Sequence, residues 1–228
     1  VLKREPRAVE GRWIDQAAFT VRDGRVYSPD PPLPQTPVIP NAGFASGIEN
    51  WIAQSLDGRG WRAASGEDAS VVAHPDDPSR HALKLTAAGK RFIRVEQTID
   101  IQPNAQYELR ATVKTENIEG DGAFIEVYGV RKSGALGAYI GRPSGRITGS
   151  HDGQTITASF NTERPEVTLF SLRDAEPEDM DPYEKVRIFL RIEDSSGTAW
   201  FSDLELRPVQ QPNPLSNVVM TDTAPVMV

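Results

Sequence analysis

Phe92-Ile93-Arg94-Val95-Glu96-Gln97-Thr98-Ile99-Asp100-Ile101, then Pro103-Asn104, then Tyr107-Glu108-Leu109-Arg110-Ala111-Thr112-Val113-Lys114 is the stretch that decides the fold class. In its first part Ile93, Val95, Ile99 and Ile101 share one face, with Gln97 the exception. In its last part Tyr107, Leu109, Ala111 and Val113 alternate with Glu108, Arg110, Thr112 and Lys114. A period of two belongs to a strand with one buried and one solvated face, because successive side chains leave an extended backbone on opposite sides. Pro103-Asn104 supplies a turn between the two strands.

The same pattern extends in both directions. Gly120-Asp121-Gly122 reads as a turn, after which Phe124, Glu126 and Tyr128 alternate with Ile125 and Val127. Val186, Ile188, Leu190 and Ile192 alternate with Arg187, Phe189 and Arg191. The last strand carries Trp200, Ser202, Leu204 and Leu206 on one side, which assigns Trp200 to the core. Strands of this length between Gly, Pro and Asp turns predict an all-β fold of two packed antiparallel sheets.

Three regions follow from composition. Residues 1–40 read as an N-terminal hairpin and Pro-rich connector. Phe19-Thr20-Val21 and Arg25-Val26-Tyr27 flank the hairpin signal Asp23-Gly24. The prolines from Pro29 to Pro40 have no N–H for a ladder and keep that stretch out of a sheet interior. Residues 41–208 hold the sandwich, and residues 209–228 read as a flexible tail or linker.

The chain has 228 residues, a net charge of −7 and no cysteine. The acidic balance excludes general nucleic-acid binding, which depends on Lys and Arg displacing phosphate counterions. No run approaches the roughly 20 apolar residues of a membrane span, so no membrane insertion of this segment is expected. Val1-Leu2-Lys3-Arg4-Glu5 lacks a starting Met and an apolar signal core, and reads as the start of a processed or excised fragment. The expected setting is secreted, periplasmic or cell-surface, with neutral glycans or other proteins as partner classes.

Asn41-Ala42-Gly43-Phe44-Ala45-Ser46-Gly47 followed by Trp51, then Ala82-Leu83-Lys84-Leu85, then Arg94 to Ile101 with Pro103-Asn104-Ala105-Gln106-Tyr107, then Trp200-Phe201-Ser202-Asp203-Leu204-Glu205-Leu206 form an ordered set of motifs. Together they resemble the jelly-roll carbohydrate-binding modules associated with xylanases and glucanases, of the galactose-binding-like β-sandwich type, over residues 41–208. The resemblance implies a jelly-roll sandwich and a polysaccharide or oligosaccharide partner. It also implies an accessory place beside other domains of a larger parent protein. It implies a structural calcium as well, held in the family by an acidic residue of the opening motif and an Asp of the closing strand. Here the opening position is Ala45, which leaves Asn41 and Asp203 as candidate donors. That is a poor set for an ion preferring 6–8 oxygens. The other reading of Asp203 is a hydrogen bond to the start of the domain.

Strand alternation points Phe92, Arg94 and Glu96 outward, then Glu108 and Arg110, then Phe124, Glu126 and Tyr128. On three neighbouring strands these would interleave aromatic rings with planar polar groups, the composition of a glycan-binding face. Tyr139, in the Gly-rich stretch 134–145, is expected on a loop at the groove edge, and Trp61, among Gly58, Arg59, Gly60 and Arg62, as an exposed ring. The same residues also suit ordinary cross-strand ion pairs, Arg94 with Glu108 and Arg110 with Glu126.

Catalytic signatures are missing. There is no paired-carboxylate motif, no Gly-x-Ser-x-Gly elbow and no phosphate-binding glycine fingerprint, and His74, His81 and His151 fall in loop-like segments without metal-type spacing. The sequence therefore points to a non-catalytic carbohydrate-binding module that recognises a polysaccharide on one sheet face. The alternative is a structural or assembly domain of an envelope or secreted protein that makes protein–protein contacts.

Overall fold

The structure, a computed structural model, describes residues 33–57, 60–163 and 181–209, together with the backbone of four three-residue strands outside them. The chain divides into two compact units, Val1–Leu33 with Gln210–Val228, and Pro34–Val209. In the first, β1 (Thr20–Arg22) and β2 (Arg25–Tyr27) pair antiparallel, with Thr20 opposite Tyr27.

The second unit holds eight strands: β3 (Ile52–Asp57), β4 (Gly60–Ala63), β5 (Ala69–His74), β6 (Asp77–Asp100), β7 (Gln106–Val130), β8 (Leu136–Pro143), β9 (Ile147–Asn161) and β10 (Lys185–Val209). They are hydrogen-bonded in the order β4-β3-β6-β10-β7-β8-β9, with β5 added on β6 and β9 also paired to β7. Every pairing is antiparallel. Back in the first unit, β11 (Val218–Met220) pairs with β12 (Pro225–Met227) and, at Val219, with Arg25 of β2. Two short strands of the first unit's four-stranded sheet thus come from the segment expected as a tail.

β6, β7 and β10 are 24, 25 and 25 residues long, far beyond the roughly 5–6 usual for a strand. Each crosses from one layer of the sandwich to the other through a bend. Gly89 sits at φ 91° in β6, Gly120 and Gly122 at 127° and 104° in β7, and Gly197 at 106° in β10, all in the region that favours glycine. Pairing between β6 and β10 shifts register at Ser195. Ser195, wholly buried, fastens the bend: its Oγ donates to Glu193 O at 2.6 Å and accepts from Gly122 N at 2.8 Å.

One layer is thus β4, β3, residues 91–100 of β6, 185–193 of β10, 122–130 of β7, and β8. The other is β5, residues 81–87 of β6, 197–209 of β10, 106–118 of β7, and β9. Between them lies one core: Ile93, Val95, Ile125, Val127, Ile188, Leu190 and Ile192 from the first layer meet Leu83, Leu85, Leu109, Val113, Ala158 and Phe201 from the second. Burying each large side chain contributes about 1.5–3 kcal/mol.

Four sequence expectations are corrected here. Gly120-Asp121-Gly122 is a bend within β7 and not a turn, so Tyr107–Val113 and Phe124–Tyr128 belong to one strand in two different layers. β6 and β7 are not neighbours, because β10 lies between them. Trp200 is not core. Pairing with β7 shifts between Ser202 and Glu205, and Asp203 takes φ 53°. This bulge reverses the alternation: Ala199 and Phe201 face inward before it, Leu204 and Leu206 after it, and Trp200 stands half-buried on the outer side. The three histidines also lie on strands and not in loops: His74 ends β5, His81 is in β6 and His151 in β9.

Candidate functional site

The outer face of the first layer is built in cross-strand rows, since directly paired residues of an antiparallel sheet point the same way. One row runs Trp61, Leu56, Phe92. The next runs Gln54, Arg94, Arg191, Phe124. Then come Ile52, Glu96, Phe189, Glu126, and finally Thr98, Arg187, Tyr128, Tyr139. Aromatic rings and planar polar groups therefore alternate along and across the face.

Its charges are paired with one another. Arg94 Nε is 3.2 Å from Glu96 Oε2, and Arg187 Nη1 is 3.3 Å from Glu96 Oε1. Arg191 holds Glu126 through Nη1, and its Nη2 lies 3.3 Å from Glu193 Oε1. Arg146 closes the chain at 2.9 Å from Glu193 Oε2. Glu96 and Glu126 are only 4% and 3% exposed, so each needs its partners; an uncompensated buried charge costs several kcal/mol. Burial pushes the Arg94 guanidinium below its ordinary value, with Glu96 pulling the other way.

The rings frame these ions. Arg94 stacks on Trp61 with 3.9 Å from its guanidinium carbon to the ring centroid, and Arg146 stacks on Phe124 at 4.0 Å. Tyr128 and Tyr139 stack at 5.0 Å and 20°, and Tyr128 meets Phe189 edge-on at 5.5 Å. Burial, then the Glu126 carboxylate, raise both tyrosine hydroxyls above their ordinary value. Tyr139, 37% exposed, stands at one side of the face and the half-buried Trp61 at the other.

The structure thus brings together Trp61, Phe92, Arg94, Glu96, Phe124, Glu126, Tyr128 and Tyr139. Tyr139 is on strand β8, not on a loop. Phe124, Glu96 and Glu126 form the floor and not the contact surface, because arginines from β10 and Arg146 lie over them. Glu108 and Arg110 are elsewhere, on the outer side of the second layer. Glu108 pairs with Arg207 at 2.6 Å and lies 3.9 Å from Arg110, so the pairs Arg94–Glu108 and Arg110–Glu126 do not form. Arg187, Phe189 and Arg191, at the centre of the face, alternate against the core in sequence; only strand order shows that they belong to it.

No protein-family model matches this sequence, and no curated protein matches it. Solved structures do. The enzymatically active domain of tailspike protein 4 from bacteriophage CBA120 superposes with a TM-score of 0.51 at 12% identity, over 76% of this chain and 21% of that one. The match spans about a fifth of the tailspike domain. A CBM4 carbohydrate-binding module matches with a TM-score of 0.46 at 16% identity, over 74% of this chain and 98% of that one. A family 16 carbohydrate-binding module matches with 0.46 at 18%, over 73% and 96%. The fold is a jelly-roll β-sandwich.

The two positions that the resemblance offers to calcium each make side-chain contacts within the protein. Asn41, at φ 53°, donates through Nδ2 to Gly47 O at 2.9 Å and Glu49 O at 3.0 Å, while its Oδ1 accepts from Ser46 N at 3.1 Å. The amide therefore fastens the opening turn, on which Phe44 packs against Trp51 at 5.4 Å. Asp203 is paired with Arg80. Among the described residues no group of three or more His, Asp or Glu side chains is arranged to hold a metal. Among those residues, too, no helix is long and apolar enough to cross a membrane.

Proposed function

We propose that this domain binds a polysaccharide or oligosaccharide along the outer face of the first layer, without transforming it, as an accessory module of a secreted, periplasmic or surface protein. The observation that carries this reading is the framing of the face. Trp61 on β4 and Tyr139 on β8 bound a surface whose planar polar groups, Gln54, Arg94 and Arg191, are held in place by ion pairs and stacking. Groups fixed in advance lose little freedom when a ligand arrives, which favours affinity. From β4 to β8 there are five interstrand steps of about 4.8 Å, roughly 24 Å in all, a length suited to several sugar units.

Binding without hydrolysis is supported by the state of the carboxylates. Glycoside hydrolysis needs one carboxyl to give a proton and another to attack or activate water. Glu96 and Glu126 are instead neutralised by Arg94, Arg187 and Arg191, and Glu108 by Arg207.

Isothermal titration with xylan and β-glucan oligosaccharides tests the reading. Tyr139→Ala should weaken binding about tenfold with the thermal midpoint nearly unchanged, and Trp61→Ala should weaken it as much with a small fall in the midpoint from the lost Arg94 stacking. Binding indifferent to both substitutions, or no binding to any glycan, overturns it.

A further inference from the structure

We infer that the opposite side of the sandwich carries a second saccharide-binding patch, centred on Trp200. The bulge at Asp203 that turns Leu204 and Leu206 into the core leaves Trp200 on the outer side of the second layer, near the middle of β10. Its row is Ser70, Lys84, Trp200, Lys114; the adjacent row on one side is Thr86, Thr198, Glu116, and on the other lie the pairs Val72–Ala82 and Ser202–Thr112. The neighbours in its own row and in the Thr198 row are all polar, and the apolar ones, Val72 and Ala82, lie to the other side. A half-buried indole here keeps part of its ring in water without an aliphatic or aromatic neighbour in its row to cover it.

The surrounding groups divide by hydrogen-bonding type. Lys84 Nζ lies over the Trp200 ring at 5.8 Å and makes no ion pair among the described residues. Glu116 is exposed and likewise without an ion pair among them. Lys114, by contrast, is taken up by Asp76 at 2.7 Å and Asp152 at 3.5 Å. A donor and an acceptor without an ion pair among the described residues, Lys84 and Glu116, and the hydroxyls of Ser70, Thr86 and Thr198, which do both, thus surround one flat apolar ring. A pyranose is the complement: a C–H face for the indole, and hydroxyls that both give and accept hydrogen bonds. With patches on both layers, one molecule engages two glycan chains at once and gains avidity on a polymer.

The patch stands on observations separate from those behind the first-layer face and shares only the ligand class with it. The test is titration calorimetry with xylohexaose, cellohexaose and β-1,4-galactotriose, with Trp200 indole N–H shifts followed by NMR. Two molecules should bind per chain. Trp200→Ala should remove one and Tyr139→Ala the other. Lys84→Met and Glu116→Gln, at a half-buried and an exposed position outside the core, should weaken the Trp200 site about tenfold and leave the other intact. These two variants and the indole shift decide the matter if Trp200→Ala fails to fold. A single site lost with Tyr139→Ala and indifferent to Trp200, Lys84 and Glu116 overturns the second patch and leaves the first-layer reading standing. A single site lost only with the Trp200 set supports the patch and removes the first-layer reading. No binding of any of the three sugars overturns both.

Discussion

The guanidinium carbon of Arg94 lies 3.9 Å from the centroid of the Trp61 ring, while Nε and Nη2 of the same group donate to Gln54 Oε1 at 2.9 and 2.6 Å. Three strands, β4, β3 and β6, are tied together by this one side chain. Arg94→Lys keeps the charge and loses both the stacking and the forked donation. It should cost about 1–2 kcal/mol in urea denaturation and weaken glycan binding about tenfold. Unchanged stability with unchanged Trp61 emission would remove Arg94 from its organising role.

Glu126 is a structural charge before it is anything else. Glu126→Ala leaves Arg191, whose side chain is 12% exposed, without its closest carboxylate. The expected loss is about 3 kcal/mol, measured by chemical denaturation. Adding Arg191→Met should recover part of it, since removing both charges leaves neither uncompensated.

Gln97 breaks the apolar pattern of β6 for a reason. Its Nε2 donates to Pro40 O at 3.1 Å and Asn50 O at 2.9 Å, pinning both ends of the opening turn to the sandwich. Gln97→Leu matches the apolar pattern better and should still destabilise by about 2 kcal/mol. Amide exchange at Phe44, Gly47 and Trp51 should quicken while that of the β7–β10 ladder changes less.

The bends of β7 and β10 leave no room for a side chain at Gly120 and Gly197. A Cβ at Gly120 would stand 2.1 Å from Asp194 O, and one at Gly197 2.3 Å from Asn117 O, both on backbone with positive φ. Gly120→Ala and Gly197→Ala should each cost about 3 kcal/mol or more. Gly66→Ala, which meets nothing within 4 Å, is the control and should leave the thermal midpoint unchanged.

High pH should loosen the Tyr139 edge. Burial, then Glu126, raise the Tyr128 and Tyr139 hydroxyls above their ordinary value, so the folded state keeps these protons more tightly than the unfolded chain. That contribution is present in full below about pH 10, the unfolded value, and is lost as pH rises through the higher folded value. Burial raises the Tyr107 hydroxyl as well, so titration at 295 nm should show at least three late tyrosines, and Tyr139→Phe should flatten the alkaline fall in stability.

Alternation in Ile93–Ile101 and Tyr107–Val113 was enough to tell strand from helix and inside from outside for nearly every residue it covered, because the side-chain period is a property of the local backbone. It failed where the local rule itself is broken. The bulge at Asp203 inverted Trp200, and the positive-φ glycines at 120 and 122 made a bend look like a turn. The Gly-rich surroundings of Tyr139 hid a strand whose glycines, Gly137 and Gly141, leave room for Tyr183 and Val127.

By itself, then, the sequence determined an all-β sandwich, the two faces of its strands, and the presence of outward aromatic and charged residues. Only the tertiary structure decided which of them meet. β10 follows β7 by more than fifty residues and yet inserts between β6 and β7, which brings Arg187, Phe189 and Arg191 to the centre of the face and leaves Glu108 and Arg110 in the other layer. Strand neighbours are set by long-range hydrogen bonding and by the closing of a shared core, and no short-range pattern along the chain encodes that choice.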